Sequence, residues 1–270
     1  MGQTGLNGLG TKIVVVDNEL EPNNHDIVRR FPGCLYIHEP HRGVANARNA
    51  ELQAAFANTS DWLAFIDDDE VADPLWLSKL LSRAVQSKAD VVGGPVRLYY
   101  PKDFPPYLER REWRTAPETT IGAGNMLVSM RFLRGLNITP SFDPRFTAGE
   151  DGAFLALLHS HGAVFAHAAD AIVTEEAVVS RLGFWGSIRR GYNGGKRRAK
   201  ERGRRAAVGG ALRLVAGPLK VVLSPLAILA GPRAFGTILG AGLRTTASGA
   251  GVMAGLLGAE PVFYLDIDGY

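Results

Sequence analysis

The residues best suited to chemistry in this chain are four carboxylates in a row. In "WLAFIDDDEVADPLWL", Trp62 to Leu77, an apolar run ends in Asp67, Asp68, Asp69 and Glu70 before apolar character resumes. At an effective dielectric of about 20, two like charges about 4 Å apart repel by roughly 4 kcal/mol, so such a cluster needs a cation to answer it. Three readings fit these residue types: a metal site, a solvated acidic turn, or a helix start decorated to suit its dipole. Position raises the metal reading, because a strand before the cluster and a helix after it hold the carboxylates on a rigid rim. Hard oxygen ligands of this kind suit Mg²⁺ or Mn²⁺, which complete their shells with phosphate oxygens and water. A second acidic pair, Glu150 and Asp151 in "GEDGAFLALLHSHG", falls at the start of a predicted helix. The histidines offer less: His159, His161 and His167 lack zinc-like spacing with carboxylate or cysteine partners.

Elements must hold these groups in place. "TKIVVVDNE" (Thr11 to Glu19) and "CLYIHE" (Cys34 to Glu39) are β-branched or apolar runs that predict buried strands of a parallel sheet. "GVANARNAELQAAFANTS" repeats small and apolar residues at helical spacing, and "WLAFI" is a further strand with the carboxylates at its C-terminal end. The next helix is expected to take Asp73 as N-cap and Pro74 in its first turn, with Leu77, Leu80, Leu81 and Ala84 as its apolar stripe. "ADVVGGPVRLYY" supplies one or two strands, Lys102 to Thr120 is expected to be a loop, and "GAGNMLVSM" is apolar again. The helix bearing Phe154, Leu157 and Leu158 should end near Gly162, and "AVFAHAADAIVTEE" closes the unit with one or two short strands. This order argues for an α/β fold with a largely parallel sheet, whose ligands bind outside the carboxyl ends of the strands. Asp17 and the carboxylate cluster both lie at such ends.

The 270 residues, 46% hydrophobic and 21% charged, suit one ordinary globular domain plus a smaller part. Cys34 is the single cysteine, which excludes an intramolecular disulfide and suits a reducing compartment, with the thiol as a small buried hydrophobe. Net charge is only +3, yet nine lysines and arginines crowd between Arg189 and Arg205 with Glu201 as the sole acid. Single-stranded nucleic acid is a poor match for that run, because Phe184, Trp185 and Tyr192 all precede its densest charges. Beyond Arg205 the chain is rich in glycine, alanine and leucine, interrupted by Arg213, Lys220, Arg233, Arg244, Pro218, Pro225 and Pro232. Those interruptions argue against a simple spanning helix and for interfacial helices or a re-entrant hairpin, with a small helical subdomain as the alternative. No signal peptide opens the chain, so the cytoplasmic side is expected.

"IVVVDN", "GVANARNA", "FIDDDE", "GAGNMLVSM" and "GEDGAFLALLHSHG", in this order and at these separations, resemble the family-two glycosyltransferases of the GT-A fold, in particular bacterial members that build polysaccharides. The motifs run from about Gln3 to about Arg190. The resemblance implies a mixed, mostly parallel sheet flanked by helices, followed by C-terminal membrane-associated helices. It divides the chain into a transferase domain over 1–180, a basic juxtamembrane segment over 181–205 and an apolar region over 206–270.

Position by position, the resemblance assigns Asp17 to the base of the nucleotide and Arg48 to the nucleotide side, although Arg48 could equally cap the sheet edge by a salt bridge. Asp67 and Asp69 match the outer residues of the DxD motif, Asp69 being the direct metal ligand and Asp68 the variable middle position on the donor side. Gly124 and Asn125 match a turn near the donor sugar, where an amide could bind hydroxyls. Asp151 matches the general base of an inverting single displacement, with Glu150 as a supporting carboxylate. The implied partners are a nucleoside diphosphate sugar, UDP-linked above all, a lipid-linked or glycan acceptor, and a membrane surface met through 189–258. The implied cofactor is Mg²⁺ or Mn²⁺, and the implied location is the cytoplasmic face of the inner membrane.

The sequence also departs from the family. Members begin with a strand and helix before "IVVVD", roughly thirty residues that this sequence lacks, and "MGQTGLNGLG" resembles only the end of that helix. A poor enzyme is therefore expected of the 270 residues as written, and a non-catalytic GT-A scaffold at the membrane is the rival reading. A nucleotidyltransferase would show a basic, glycine-rich phosphate loop after its first strand, and none is visible.

Overall fold

A computed structural model describes residues 2–102, 104, 112–118, 120–145, 149–177 and 184–259. Internal contacts divide the chain into two units, Met1–Arg97 with Trp113–Glu175, and Leu98–Glu112 with Glu176–Tyr270. In chain order the first elements are β1 (Ile13–Asp17), α1 (His25–Val28), β2 (Cys34–His38), α2 (Val44–Ala57), β3 (Trp62–Ile66), β4 (Glu70–Ala72) and α3 (Trp76–Ser87). They are followed by β5 (Val91–Gly93), β6 (Val96–Tyr99), β7 (Trp113–Thr115), β8 (Asn125–Ser129), α4 (Met130–Arg134), α5 (Glu150–Ser160), β9 (Phe165–His167) and β10 (Val173–Glu176).

The central sheet has the order β3-β8-β5-β9, a second sheet the order β4-β10-β6-β7, and β1 pairs with β2 alone. Strand β8 explains why the central sheet forms. All five of its residues are buried, with Met126 and Val128 entering the cluster of Leu52, Ala55, Phe65, Phe142, Phe154 and Leu158, while Leu127 enters that of Trp76, Leu80, Ala84 and Val92. Side chains that alternate across the pleat thus bind α2 and α5 to one face and α3 to the other.

The expected mixed α/β sheet flanked by helices is present, with a larger antiparallel share than "mostly parallel" implies. Parallel pairing joins β1 to β2 and β5 to β9, and Val173 N and Ala177 N bond Pro95 O and Tyr99 O in step where β10 runs beside β6, whereas β8 is antiparallel to both β3 and β5, β10 to β4, and β7 to β6. An antiparallel strand buried on both faces carries the same unbroken apolar run as a parallel one, so composition could not separate the two. Two local expectations also shift. Helix α3 begins at Trp76 after Leu75, and Asp73 instead accepts from the Leu75 N–H at 2.9 Å in a turn just ahead of it. Within the stretch expected to be a loop, Trp113–Thr115 forms β7. Gly162 does terminate α5 at a φ of +85°, a conformation glycine adopts freely, with its N–H bonded to His159 O at 3.0 Å.

The second unit is helical over its described C-terminal part: α6 (Phe184–Arg202), α7 (Ala206–Leu223) and α8 (Pro232–Leu256), with short 3-10 turns over Gly203–Arg205 and Ser224–Ala230. Against the sequence expectation, Gly203–Ala230 is long and apolar enough to cross a membrane, because Arg213 and Lys220 are too sparse to break its window.

Candidate active site

Helix α2 delivers the first cation. Gly43 starts it at a φ of +132°, and Asn18 fixes the approach by accepting from the Gly43 N–H at 2.7 Å and donating to the carbonyls of Glu39 and His41, each at 2.8 Å. Asn49 exchanges two bonds of 2.8 Å with the backbone of Phe142, which ties the segment ahead of α5 to α2. Arg48 then points at the carboxylates, donating from Nη1 to Glu150 Oε1 and from Nη2 to Asp67 Oδ1 at 3.3 Å. Its guanidinium lies 5.9 Å from the centre of the Phe142 ring, which itself stacks on Phe154.

Strand β7 delivers the second cation. Arg114 reaches Glu70 Oε1 at 2.6 Å and Asp67 Oδ2 at 3.4 Å through Nη2, and Glu175 Oε2 at 2.7 Å through Nη1. Glu70 and Glu175 are register partners across the β4/β10 ladder, a like-charge pairing that is unfavourable without a counter-charge. The charges of Asp67 and Glu70 are therefore answered from inside the chain, with one guanidinium at each oxygen of Asp67. Glu70 is pushed up to about 8, first by burial and then by Asp67, with Arg114 opposing both. Glu51, near Arg48 on α2, is raised to about 7 by burial, with Arg48 opposing and Asp67 adding to the rise. The Arg114 guanidinium is held charged: burial works against it, and Glu70, Glu175 and Asp67 outweigh that.

The loop of residues 122–124 closes over this cluster. A Cβ on Gly124 would stand 2.6 Å from both Asp67 Oδ2 and Arg114 Nη2 and 2.8 Å from Glu70 Oε1, so only glycine lets the backbone come so close. A Cβ on Gly122 would lie 3.7 Å from Asp151 Oδ2. Asp151 occupies the first turn of α5, half-exposed, with Oδ1 accepting from the Gly152 N–H at 2.7 Å. One short loop thus borders both the carboxylate cluster and Asp151, while Arg48 ties Asp67 to the neighbouring Glu150.

Asn125 and Asp17 are both buried and hydrogen-bonded within the protein. Asn125 is buried, and its amide is engaged within the protein: Nδ2 donates to Pro95 O at 3.0 Å and Ala171 O at 2.8 Å, and Oδ1 accepts from Trp76 Nε1 at 2.8 Å. Both of its donors are engaged in this way, so the amide braces β8 against α3 and the loops around it. Asp17 is buried at the end of β1, where Oδ2 accepts from Asn23 N, Asn24 N and the Tyr36 hydroxyl at 3.1, 3.0 and 2.7 Å, and Oδ1 from Glu19 N at 3.3 Å. Burial raises its pKa, but those bonds outweigh burial and bring it to about 2. Its carboxylate organises the 19–24 loop, so any role toward a base runs through that loop and the oxygen with spare capacity.

Asp68 and Asp69 are exposed in the turn between β3 and β4, next to half-exposed Asp67. Among the described residues no three carboxylates, histidines or cysteines converge to cage a metal. The donor set still fits a hard divalent ion in the manner of Mg²⁺, which takes one or two carboxylates and fills its shell with phosphate and water. Sequence reasoning missed Arg114 and Glu175; Glu70 stood in the quoted cluster and gave the one signal available, an acid in apolar surroundings.

A mixed α/β sheet that gathers acids at strand ends, closed by a glycine loop, defines a class of protein that sequence comparison identifies. Residues 4–138, 135 of the chain's 270, match Glycosyl transferase family 2, and the chain belongs to that family. The matched span contains Asp17, Arg48, Asp67–Asp69, Gly124 and Asn125 and ends before Glu150 and Asp151. Over 197 residues the chain is 30% identical to succinoglycan biosynthesis protein ExoM of Rhizobium meliloti (strain 1021), an alignment covering 68% of this chain and 63% of that protein. The chain thus spans less than two thirds of the length of that relative. Among solved structures, that of A197 from STIV is 19% identical with a TM-score of 0.38, covering 59% of this chain and 82% of that one.

Proposed function

We propose that the chain is an inverting glycosyltransferase that moves a sugar from a nucleoside diphosphate, UDP above all, to a lipid-linked or polysaccharide acceptor in exopolysaccharide assembly. Family membership and the likeness to a succinoglycan biosynthesis protein support this reading. The observation that carries it is the glycine loop of residues 122–124, which borders Asp67 of the DxD motif on one side and Asp151 on the other. In the proposed reaction Asp151 takes the proton of the acceptor hydroxyl as that oxygen forms a bond to the anomeric carbon. The bond from that carbon to the diphosphate breaks at the same time, and the electron pair leaves with the phosphate. Arg48 and Arg114 hold Asp67 in place, and Glu150, paired with Arg48, fixes the start of the helix that presents Asp151. Asp69, with Asp67, would hold Mg²⁺ or Mn²⁺, which when bound neutralises the departing diphosphate. The second unit, with its basic helix α6 and apolar helix α7, supports association with the cytoplasmic face of the inner membrane.

Isothermal titration of UDP with and without Mn²⁺ tests the donor site, and sugar transfer tests the base. The expected results are metal-dependent binding that Asp69→Asn abolishes, and an Asp151→Asn variant that still binds UDP but transfers about 10²- to 10⁴-fold more slowly. A chain that binds no nucleotide with or without metal would instead favour the non-catalytic scaffold.

A further inference from the structure

The second unit carries a contradiction that its packing resolves. Helix α7 turns Ala206, Gly210 and Gly217 inward, with Arg213 and Val221 half-buried on the same stripe. The opposite stripe, Val208, Leu212, Val215, Leu219 and Val222, is 56 to 72% exposed, and Leu226 and Leu229 extend it past the helix end. At roughly 100° per residue the two stripes lie about 180° apart, so α7 presents an unbroken apolar face directly away from its partner helix.

That partner is α8, which packs by contact between small residues on two faces. Toward α7, a Cβ on Gly210 would strike Val252, one on Gly217 would strike Thr246, and one on Gly242 would strike Val221. Toward α6, a Cβ on Gly191 would strike Arg244, one on Gly195 Ser248, one on Gly251 Tyr192 and one on Gly255 Ala199. Arg198 also donates to Ser248 Oγ at 2.7 Å. The residues of α8 facing α6 (244, 248, 251, 255) and those facing α7 (242, 246, 249, 252) are offset by roughly 130° around the helix at 100° per residue. Both neighbours therefore flank the same stretch of α8, from Gly242 to Gly255.

This shared stretch excludes a simple transmembrane placement. Were α7 to cross the hydrocarbon, α6 would be carried in alongside it, with exposed Arg189, Arg190, Arg197, Lys200 and Arg202. Charged side chains at bilayer depth are strongly disfavoured, whereas the same arginines at the headgroups of an anionic leaflet are favoured. Resting on the membrane association proposed above, we infer that the three helices form a monotopic insert. In it α7 lies parallel to the bilayer plane, its Val208-to-Val222 stripe sunk into one anionic leaflet. The glycine seam of α8 lets the helices approach closely, and α6 sets its basic residues at or above the headgroups. Lys220, exposed on the flank of α7, extends its charge upward along its stem.

Depth-dependent quenching tests this in the full chain carrying Cys34→Ser. Single cysteines replace Val208, Leu219 or Leu229, each labelled with an environment-sensitive fluorophore and added to vesicles of phosphatidylglycerol and phosphatidylethanolamine containing shallow or deep quenchers. The expected result is one shallow depth at all three sites, and in unlabelled samples all three cysteines react with an impermeant thiol reagent before lipid is added. Arg189→Glu with Arg197→Glu and Arg202→Glu should lower affinity for the anionic vesicles at least tenfold and leave the weaker binding to neutral vesicles unchanged. A deep Leu219 between two shallow ends would mean that α7 spans, overturning the insert while leaving membrane association standing. No flotation with vesicles of either kind would overturn both. A soluble dimer that Val215→Asp splits into monomers would mean that a second copy covers the stripe, and would overturn the insert.

Discussion

Replacing Arg114 by methionine should unfold the site before it changes any surface. The guanidinium touches Asp67, Glu70 and Glu175, and the Glu70 and Glu175 side chains are 0% and 5% exposed. Removing one member of a buried ion pair costs about 3–5 kcal/mol, because a charge is left behind without a partner. Here the lower end applies, about 3 kcal/mol, since Arg114 is itself 35% exposed and Asp67 keeps Arg48 at its other oxygen. The assay is a double-mutant cycle by denaturant unfolding, comparing Arg114→Met in the native background with the same change where Glu70→Gln and Glu175→Gln are already present. In the second background the carboxylates that need the arginine are gone, so the substitution should cost less than about 1 kcal/mol, leaving a coupling of about 2 kcal/mol. Equal costs in both backgrounds would refute the ionic account and reduce Arg114 to a packing role.

Gly124→Ala places a methyl 2.6 Å from Asp67 and Arg114, and should lower kcat/KM at least tenfold with a stability loss of about 1–3 kcal/mol, measured by steady-state transfer and thermal unfolding. The Asp17 pKa is depressed from 3.8 to about 2, so its stabilisation is complete above about pH 4 and is lost as pH falls through 2. The stability gap between the native chain and Asp17→Asn should therefore shrink over that window in acid titrations, and a gap independent of pH would contradict the bonds described for Asp17. Asn125→Leu should destabilise by at least about 3 kcal/mol, because Pro95 O, Ala171 O and the Trp76 N–H lose their partners, while KM for the donor of the surviving folded fraction stays unchanged.

How much of this was legible depends on the kind of information each residue carries. The step from "WLAFI" into Asp67 is visible because a buried run followed at once by carboxylates has few structural explanations. The helix start at Glu150 and its end at Gly162 are likewise local signals, set by dipole, stripe and φ. Arg114 was hidden because its meaning lies in three acids 44, 47 and 61 positions away in sequence, brought to it by the β4/β10 ladder and the turn after β3. The partners of Asn125 were hidden for a related reason: residue type tells what an amide can bond, but only the burial of β8 on both faces decides that it bonds Pro95, Ala171 and Trp76. Direction was lost in the same way, since β8 reads as an apolar run whichever way it enters the sheet. In the second unit, the charges along α7 suggested interfacial helices from sequence alone, but the packing of α6 and α7 on one stretch of α8 could not be read from composition.

The ribbon of β1 and β2 joins the rest of its unit through α2 and through loops, with no ladder to a third strand among the described residues. Its amides should therefore behave as a separate exchange block, opening at lower free energy than those of β3, β8, β5 and β9. Asp17 and Tyr36 sit inside that block, so a base bound there would be read by a segment whose order depends partly on the ligand. Slow exchange in the ribbon would then report on occupancy, and part of the donor's binding free energy would appear as local order instead of as affinity.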